Sequence, residues 1–187
     1  RPRFADEDNL IESVKVILSE IESNGSESVN KYAIQFDGTE PEFIELKAFA
    51  DYELEPELAQ AILLAAKRIK KFAEFQFENL TSKSFEDEYG QFGQEVKPIE
   101  KVGAYIPGGR FPLISTALMT LIPAQVAGCP SRIASSPSDH PAILAAASLA
   151  GATQFIKLGG VQAIGALTFG YESIEPVDLI VGPGNAW

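Results

Sequence analysis

A chain of 187 residues with 45% apolar residues is long enough for one sizeable domain and too apolar to be disordered. Its net charge of −11 argues against a nucleic-acid-binding protein, which usually presents a basic face, and against attraction to anionic lipid. The single cysteine, Cys129, excludes an internal disulfide bond, and no apolar run approaches the roughly 20 residues of a membrane span. The composition therefore predicts a cytoplasmic globular protein.

The first part of the chain, residues 1–95, is charged and is predicted to be mainly helical. Apolar residues fall on one face of residues 6–25, which predicts an amphipathic helix. A second helix is predicted over residues 55–80. Between these helices Asp37-Gly38 predicts a turn, and the polar residues 81–94 are expected to form a connection.

The second part, residues 96–187, is far less charged and alternates short β-like runs with Ala-rich helix-like runs. Such alternation with short links predicts βαβ crossovers and therefore an α/β fold with a parallel sheet. Pro123 is expected to kink or split the first helix of this part. The predicted strands are 102–106, 131–136, 153–158 and 177–181, and the predicted helices are 115–128, 140–151 and 161–170.

Each of these predicted strands runs into a turn of small residues: PGGR, SPSD, GG and GPGN. In open parallel sheets, ligands bind outside the carboxyl ends of the strands, where glycine lets the backbone approach them closely. Backbone N–H groups at the following helix starts can receive phosphate oxygens. Neither G-x-G-x-x-G nor G-x-x-x-x-G-K-[ST] is present, and glycine turns also serve tight packing. The spacing alone therefore leaves a ligand-binding role and a packing role open.

The residue types that usually carry catalysis are scarce in this chain. The only histidine, His140, precedes a predicted helix and is expected to be merely exposed. With one histidine and one cysteine, the chain cannot form a zinc site of the usual nitrogen and sulfur ligands by itself. Cys129 follows a predicted helix end and is expected to be a small buried residue.

Several motifs together resemble the histidinol dehydrogenase family: VGAYIPGG, STALM, PAQVAGC, ASSP, LAGATQFIKLGGVQAIGALTFG and VDLIVGPGN. In the first part of the chain, VNKYAIQFDGTE and AILLAAKRIKKFAEFQ are similar to that family's early helices. The resemblance identifies the chain as an N-terminal portion, roughly half, of the family's sequence. It implies that residues 96–187 form an incomplete Rossmann-like unit, truncated at its C-terminal end and preceded by the mainly helical residues 1–95.

The resemblance also implies a function. The family oxidises L-histidinol through the aldehyde to L-histidine, the last steps of histidine biosynthesis, and reduces two NAD⁺ molecules in turn. Its members are zinc-dependent homodimers in which zinc holds histidinol and a Glu-His pair transfers protons. The family's NAD contacts correspond here to Tyr105 of YIPGG, Gln162 of GGVQAI and Asn185 of GPGN. Each also has a simpler role open to it: Tyr105 as a half-buried strand aromatic, Gln162 as a helix cap and Asn185 as a turn residue.

The family's zinc ligands and its Glu-His pair lie downstream of GPGN, so no catalytic residue or metal ligand is assigned in this chain. Ala73 stands where the family typically has histidine. Arg110 stands where it usually has a small residue, and Arg110 either steers an anionic ligand or is simply exposed. We therefore expect the chain to carry NAD-contacting residues and to be inactive alone. A related zinc- and NAD-dependent dehydrogenase of another small alcohol and a non-catalytic ligand-binding remnant remain alternatives.

Overall fold

The computed structural model describes residues 4–108 and 112–184. The helices are α1 (Phe4–Asn24), α2 (Ser26–Asp37), α3 (Pro56–Phe77), α4 (Ile114–Val126), α5 (Pro141–Leu149) and α6 (Gly160–Phe169). The strands are β1 (Glu42–Phe43), β2 (Lys83–Asp87), β3 (Gly90–Gln94), β4 (Lys101–Tyr105), β5 (Ser131–Ser136), β6 (Gln154–Lys157) and β7 (Leu179–Val181). In this described part of the chain, no helix combines the length and apolarity needed to cross a membrane.

Five strands form one sheet in the order β1-β6-β5-β4-β7. The pairs β4–β5, β5–β6 and β4–β7 are parallel, and only β1 pairs antiparallel, with β6. The chain moves from β4 outward to β5 and β6 and then returns to the other side of β4 as β7. The predicted α/β fold with a mostly parallel sheet is therefore confirmed. The strand order reverses between β4 and β7, which makes this pair the topological switch point.

Helices cover both faces of the sheet because side chains alternate along each strand. Phe155 of β6 points into the apolar layer beneath α3, α4 and α5, whereas its neighbour Ile156 points into the layer beneath α1, α2 and α6. The helices α4, α5 and α6 are rich in Ala, Ile and Leu because each is packed against the sheet or other helices on most of its surface. The result is a three-layer α/β/α arrangement.

Four features differ from the predictions made from the residue pattern or were absent from them. The helix α4 continues through Pro123 and is not split, because Pro123 lies on its exposed side, where water can satisfy the carbonyl left without a donor. The residue pattern did not predict the helix α2 or the short edge strand β1, although the family resemblance placed VNKYAIQFDGTE among early helices. The expected connection over residues 81–94 is instead the hairpin β2–β3, in which Phe85 and Phe92 are cross-strand partners with ring centroids 5.4 Å apart.

The two parts of the chain pack closely together. The helices α1 and α2 lie against α6, and α3 lies against α4, so the first part supplies outer helices on both faces of the sheet. The strand β1 extends that sheet at the β6 edge. The division into residues 1–95 and 96–187 stays a prediction about how the chain is organised.

Candidate functional site

The segments that follow β4 and β7 meet at the switch point. The strand β4 ends at Tyr105, and Gly182 is the first residue after β7. A methyl group placed on Gly182 would come within 2.3 Å of the backbone oxygen of Tyr105, so the two segments are in contact there. Since ligands of open α/β sheets bind in the crevice at this point, it is the first place to look for a site.

Pro137, in the turn after β5, joins further segments to this surface. A methyl group on Gly108, after β4, would come within 2.8 Å of the Pro137 ring. A methyl group on Gly159, after β6, would come within 2.6 Å of the same ring. The turns after β4, β5 and β6 therefore pack directly on one another, and glycine is required at both contacts because a side chain would not fit.

Tyr105 connects the switch point to the start of α6. Its side chain is half-buried and packs on the apolar layer between the sheet and α6. Its hydroxyl oxygen accepts a hydrogen bond from the backbone N–H of Gly160, at 3.2 Å. The hydroxyl proton is not used in that bond, so Tyr105 can still donate to a ligand.

Gln162 lies in the first turn of α6 and is only 1% exposed. Its side-chain nitrogen Nε2 donates to Oδ2 of Asp37, at 3.0 Å. The backbone N–H of Gly159 donates to the same oxygen, at 3.2 Å. Asp37 is the last residue of α2, and the turn predicted there is confirmed by Gly38 in a left-handed conformation with φ of 77°. The sequence pattern predicted that turn but not where the Asp37 side chain lies.

The other amide atom of Gln162, Oε1, is buried and has no hydrogen-bond partner among the residues that the structure describes. It faces Gly160 so closely that a methyl group there would come within 2.7 Å of Oε1. Leaving a buried acceptor unpaired costs about 1–3 kcal/mol. A ligand that donates a hydrogen bond to this oxygen would recover that cost, so the site suits a ligand bearing hydroxyl or amino groups.

At the start of α6, two of the backbone N–H groups that a phosphate could use are already occupied. The Gly159 N–H is bonded to Asp37, and the Gly160 N–H is bonded to Tyr105. Both partners reach α6 from distant parts of the chain, which is why the local sequence did not reveal them. At the start of α5, His140 is the capping residue, and its Nδ1 accepts from the N–H of Ala142 at 3.2 Å.

The structure brings together two of the three residues that the sequence assigned to the cofactor. Tyr105 ends β4, and its hydroxyl reaches the start of α6, where Gln162 lies in the first turn. Asn185 and Arg110 lie outside the described residues. Within residues 4–108 and 112–184, no group of three or more His, Cys, Asp or Glu side chains could hold a metal ion. Cys129 is buried, as expected, at 4% exposure.

Comparison with known proteins matches the whole chain to one family. A family model described as histidinol dehydrogenase matches residues 1–187. The chain is 43% identical over 187 residues to the histidinol dehydrogenase of Aquifex aeolicus, covering 97% of this chain and 43% of that protein. It is 40% identical over 196 residues to the histidinol dehydrogenase of Salmonella typhimurium, covering 100% of this chain and 44% of that protein.

A solved structure gives the same result at the level of the fold. The crystal structure of histidinol dehydrogenase from Elizabethkingia anophelis superposes with a TM-score of 0.81 and 36% sequence identity. The match covers 99% of this chain and 47% of that chain. This chain therefore spans less than half the length of the proteins that it matches.

Proposed function

Because the chain belongs to the histidinol dehydrogenase family, we propose that it binds NAD⁺ at the switch point between β4 and β7. The observation that carries this proposal is the Oε1 of Gln162, a buried acceptor that no described residue pairs, beside the glycine-rich start of α6. The cofactor has ribose hydroxyls and amino groups that can donate to such an oxygen. The family assignment applies to the chain as a whole, and the proposal adds which of its residues contact the cofactor.

The chain's own residues would have distinct tasks toward the cofactor. Gln162 would accept a hydrogen bond from a hydroxyl or amino group, and Tyr105 would donate its hydroxyl proton and pack its ring along the cofactor. Asn185 is proposed as a third contact on the strength of its place in the GPGN motif. When bound, NAD⁺ supplies the hydride acceptor for alcohol oxidation.

The whole protein's activity follows from the family and is part of the same proposal. We propose that the chain forms the cofactor-binding portion of a cytoplasmic, zinc-dependent homodimer that oxidises L-histidinol to L-histidine. No catalytic residue or zinc ligand is assigned to these 187 residues.

Titration of NAD⁺ into the protein, followed by calorimetry, tests this proposal. We expect saturable binding, and we expect Gln162→Ala to weaken it by up to about tenfold, since a hydrogen bond contributes about 0.5–1.5 kcal/mol and about 1.4 kcal/mol corresponds to tenfold. Gln91→Ala, an exposed glutamine in the hairpin strand β3, is the matched control and should bind NAD⁺ like the parent chain.

The same samples test the expected inactivity when histidinol is added and NADH formation is followed. We expect the 187-residue chain to bind NAD⁺ without reducing it. Histidinol-dependent NADH formation would contradict the expected inactivity. Absence of binding at millimolar NAD⁺ would refute the cofactor site and favour the ligand-binding remnant or a purely structural role.

A further inference from the structure

We propose that Asp37 is a positioning residue that fixes the amide of Gln162 and makes the start of α6 selective for a neutral hydrogen-bond donor. This inference rests on the proposed function, because it specifies which part of the cofactor meets Gln162. We call the group formed by Tyr105, Gly159, Gly160 and Gln162 the α6 corner. Asp37 reaches this corner from the end of α2, across a sequence separation of more than 120 residues.

Asp37 determines which atom of the Gln162 amide faces a ligand. An ionised carboxylate has only acceptor atoms, so the amide group beside it must present its nitrogen. The bond of 3.0 Å from Nε2 to Asp37 therefore directs Oε1 to the opposite side, toward Gly160. A ligand that meets Gln162 consequently meets an acceptor, and its own group must be a donor.

Asp37 also places a negative charge at the start of α6. A helix N-terminus carries a partial positive charge that favours an anion, and here the Asp37 carboxylate already lies there, bonded to the Gly159 N–H. The Gly160 N–H is occupied by the Tyr105 hydroxyl. A phosphate would therefore be repelled by Asp37, and among the described contacts only the first-turn N–H groups of Val161 and Gln162 would be left for it. The α6 corner thus suits a nucleoside hydroxyl or amino group, and not the pyrophosphate of a dinucleotide.

Asp37→Ala should weaken the binding of NAD⁺ and strengthen the binding of an inorganic anion. Without the carboxylate, the Gln162 amide can rotate and no longer presents Oε1 alone, so NAD⁺ binding should weaken. The Gly159 N–H then becomes free and the negative charge disappears, so an inorganic anion should bind more tightly than before. A side chain with a merely structural role would not produce this reversal.

Calorimetric titrations of NAD⁺ into four proteins test whether Asp37 acts through Gln162: the parent chain, Asp37→Ala, Gln162→Ala and the double variant. We expect Asp37→Ala to raise the dissociation constant by no more than Gln162→Ala does, up to about tenfold, because Asp37 acts through the Gln162 amide. The double variant should bind no more weakly than Gln162→Ala alone. Asp51→Ala, an exposed aspartate next to Phe49 on the other face of the sheet, is the matched control.

The parent chain and Asp37→Ala, ¹⁵N-labelled, are then titrated with adenosine and with inorganic pyrophosphate while the side-chain amide signal of Gln162 is followed. In the parent chain, adenosine should move this signal and pyrophosphate should not. In Asp37→Ala, pyrophosphate should gain binding. If Asp37→Ala does not fold, Asp37→Asn keeps the size of the side chain, removes its charge and should change binding in the same directions by a smaller factor.

The outcomes separate the two proposals. If the parent chain does not bind NAD⁺, the proposed function and this inference both fail. If it binds NAD⁺ but neither Asp37 variant weakens binding, or if the effects of Asp37→Ala and Gln162→Ala multiply, only the positioning role of Asp37 is refuted. A pyrophosphate response at Gln162 in the parent chain that matches the adenosine response would refute the selectivity.

Discussion

Gly182 shows how one residue controls the approach of two strands. It lies where the segment after β7 passes the end of β4, and the nearest atom to a methyl group there would be a backbone oxygen. Backbone cannot rotate away as a flexible side chain can, so an added side chain would have to separate β4 from β7. Gly184, two residues later, has no atom of the described residues within 4 Å of the same position and offers an internal comparison.

We therefore expect Gly182→Ala to lower the free energy of unfolding by about 1–3 kcal/mol, the usual cost of overpacking. Gly184→Ala should change it by less than about 0.5 kcal/mol, as for an uncrowded surface position. Urea denaturation of both variants measures the difference. Equal stability of the two variants would show that the contact at Gly182 is not as close as the structure indicates.

An ion pair at the carboxyl edge of the sheet links β6 to the turn between β5 and α5. Asp139, in the turn between β5 and α5, pairs with Lys157 at the end of β6, with 2.6 Å between Oδ2 and Nζ. The hydrogen bond from Lys157 lowers the pKa of Asp139 below its ordinary value of 3.8, and the same bond raises the pKa of Lys157 above 10.5. The pair thus holds the turn after β5 against the neighbouring strand, although solvent screens it because Asp139 is 56% exposed.

Asp139→Asn should lower the free energy of unfolding at neutral pH by less than about 1 kcal/mol. The contribution of Asp139 is present above pH 3.8 and is lost as the pH falls through its lower folded-state pKa. The contribution of Lys157 is present below pH 10.5 and is lost as the pH rises through its raised folded-state pKa. The difference between parent and variant should therefore be constant between these limits.

Denaturation of the parent chain and of Asp139→Asn across this pH range provides the measurement. Lys157→Met should cause the same loss at neutral pH, and the double variant should lose no more than either single variant. If the difference in the free energy of unfolding between the parent chain and Asp139→Asn grows as the pH falls, the pairing of Asp139 with Lys157 does not stabilise the fold as described.

At the scale of the whole molecule, the side of the sheet at β7 exposes an apolar groove of about 430 Å³. It is lined by α4, the end of α3 and β7, and it includes Met119, which is 63% exposed, and Leu179. In the described part of the chain, β7 is the last strand of the sheet on this side. An unpaired edge beside apolar surface favours association between chains.

We expect the protein to self-associate with rising concentration and Met119→Glu to weaken that association, because the substitution places a charge in the apolar groove. Ile11→Glu, at a similarly exposed apolar residue of α1 on the other face of the sheet, is the matched control. Sedimentation equilibrium measures both. A parent chain that stays monomeric, or equal effects of the two substitutions, would contradict a role for the groove.

Local patterns in the sequence were sufficient to predict much of the fold. The alternation of strands and helices from β4 to β7 was predicted with boundaries within two residues of the observed ones, because period and turn residues are properties of neighbouring residues. The predicted ends of three helices at Gly128, Gly151 and Gly170 agree with the positive φ of each glycine. The hairpin was missed because its strands are short and exposed, with only Phe85 and Phe92 to mark the pairing.

The α/β class and the small-residue turns after the parallel strands could be predicted from the residues alone, and the family motifs selected Tyr105, Gln162 and Asn185 as candidate contacts. The strand order, the antiparallel pairing of β1 and the bonds from Gly159 and Gln162 to Asp37 became visible only in the folded structure. The difference comes from separation along the chain. Helix periods and turns are decided by residues a few positions apart, whereas a carboxylate that meets an amide 125 residues away depends on how whole elements pack.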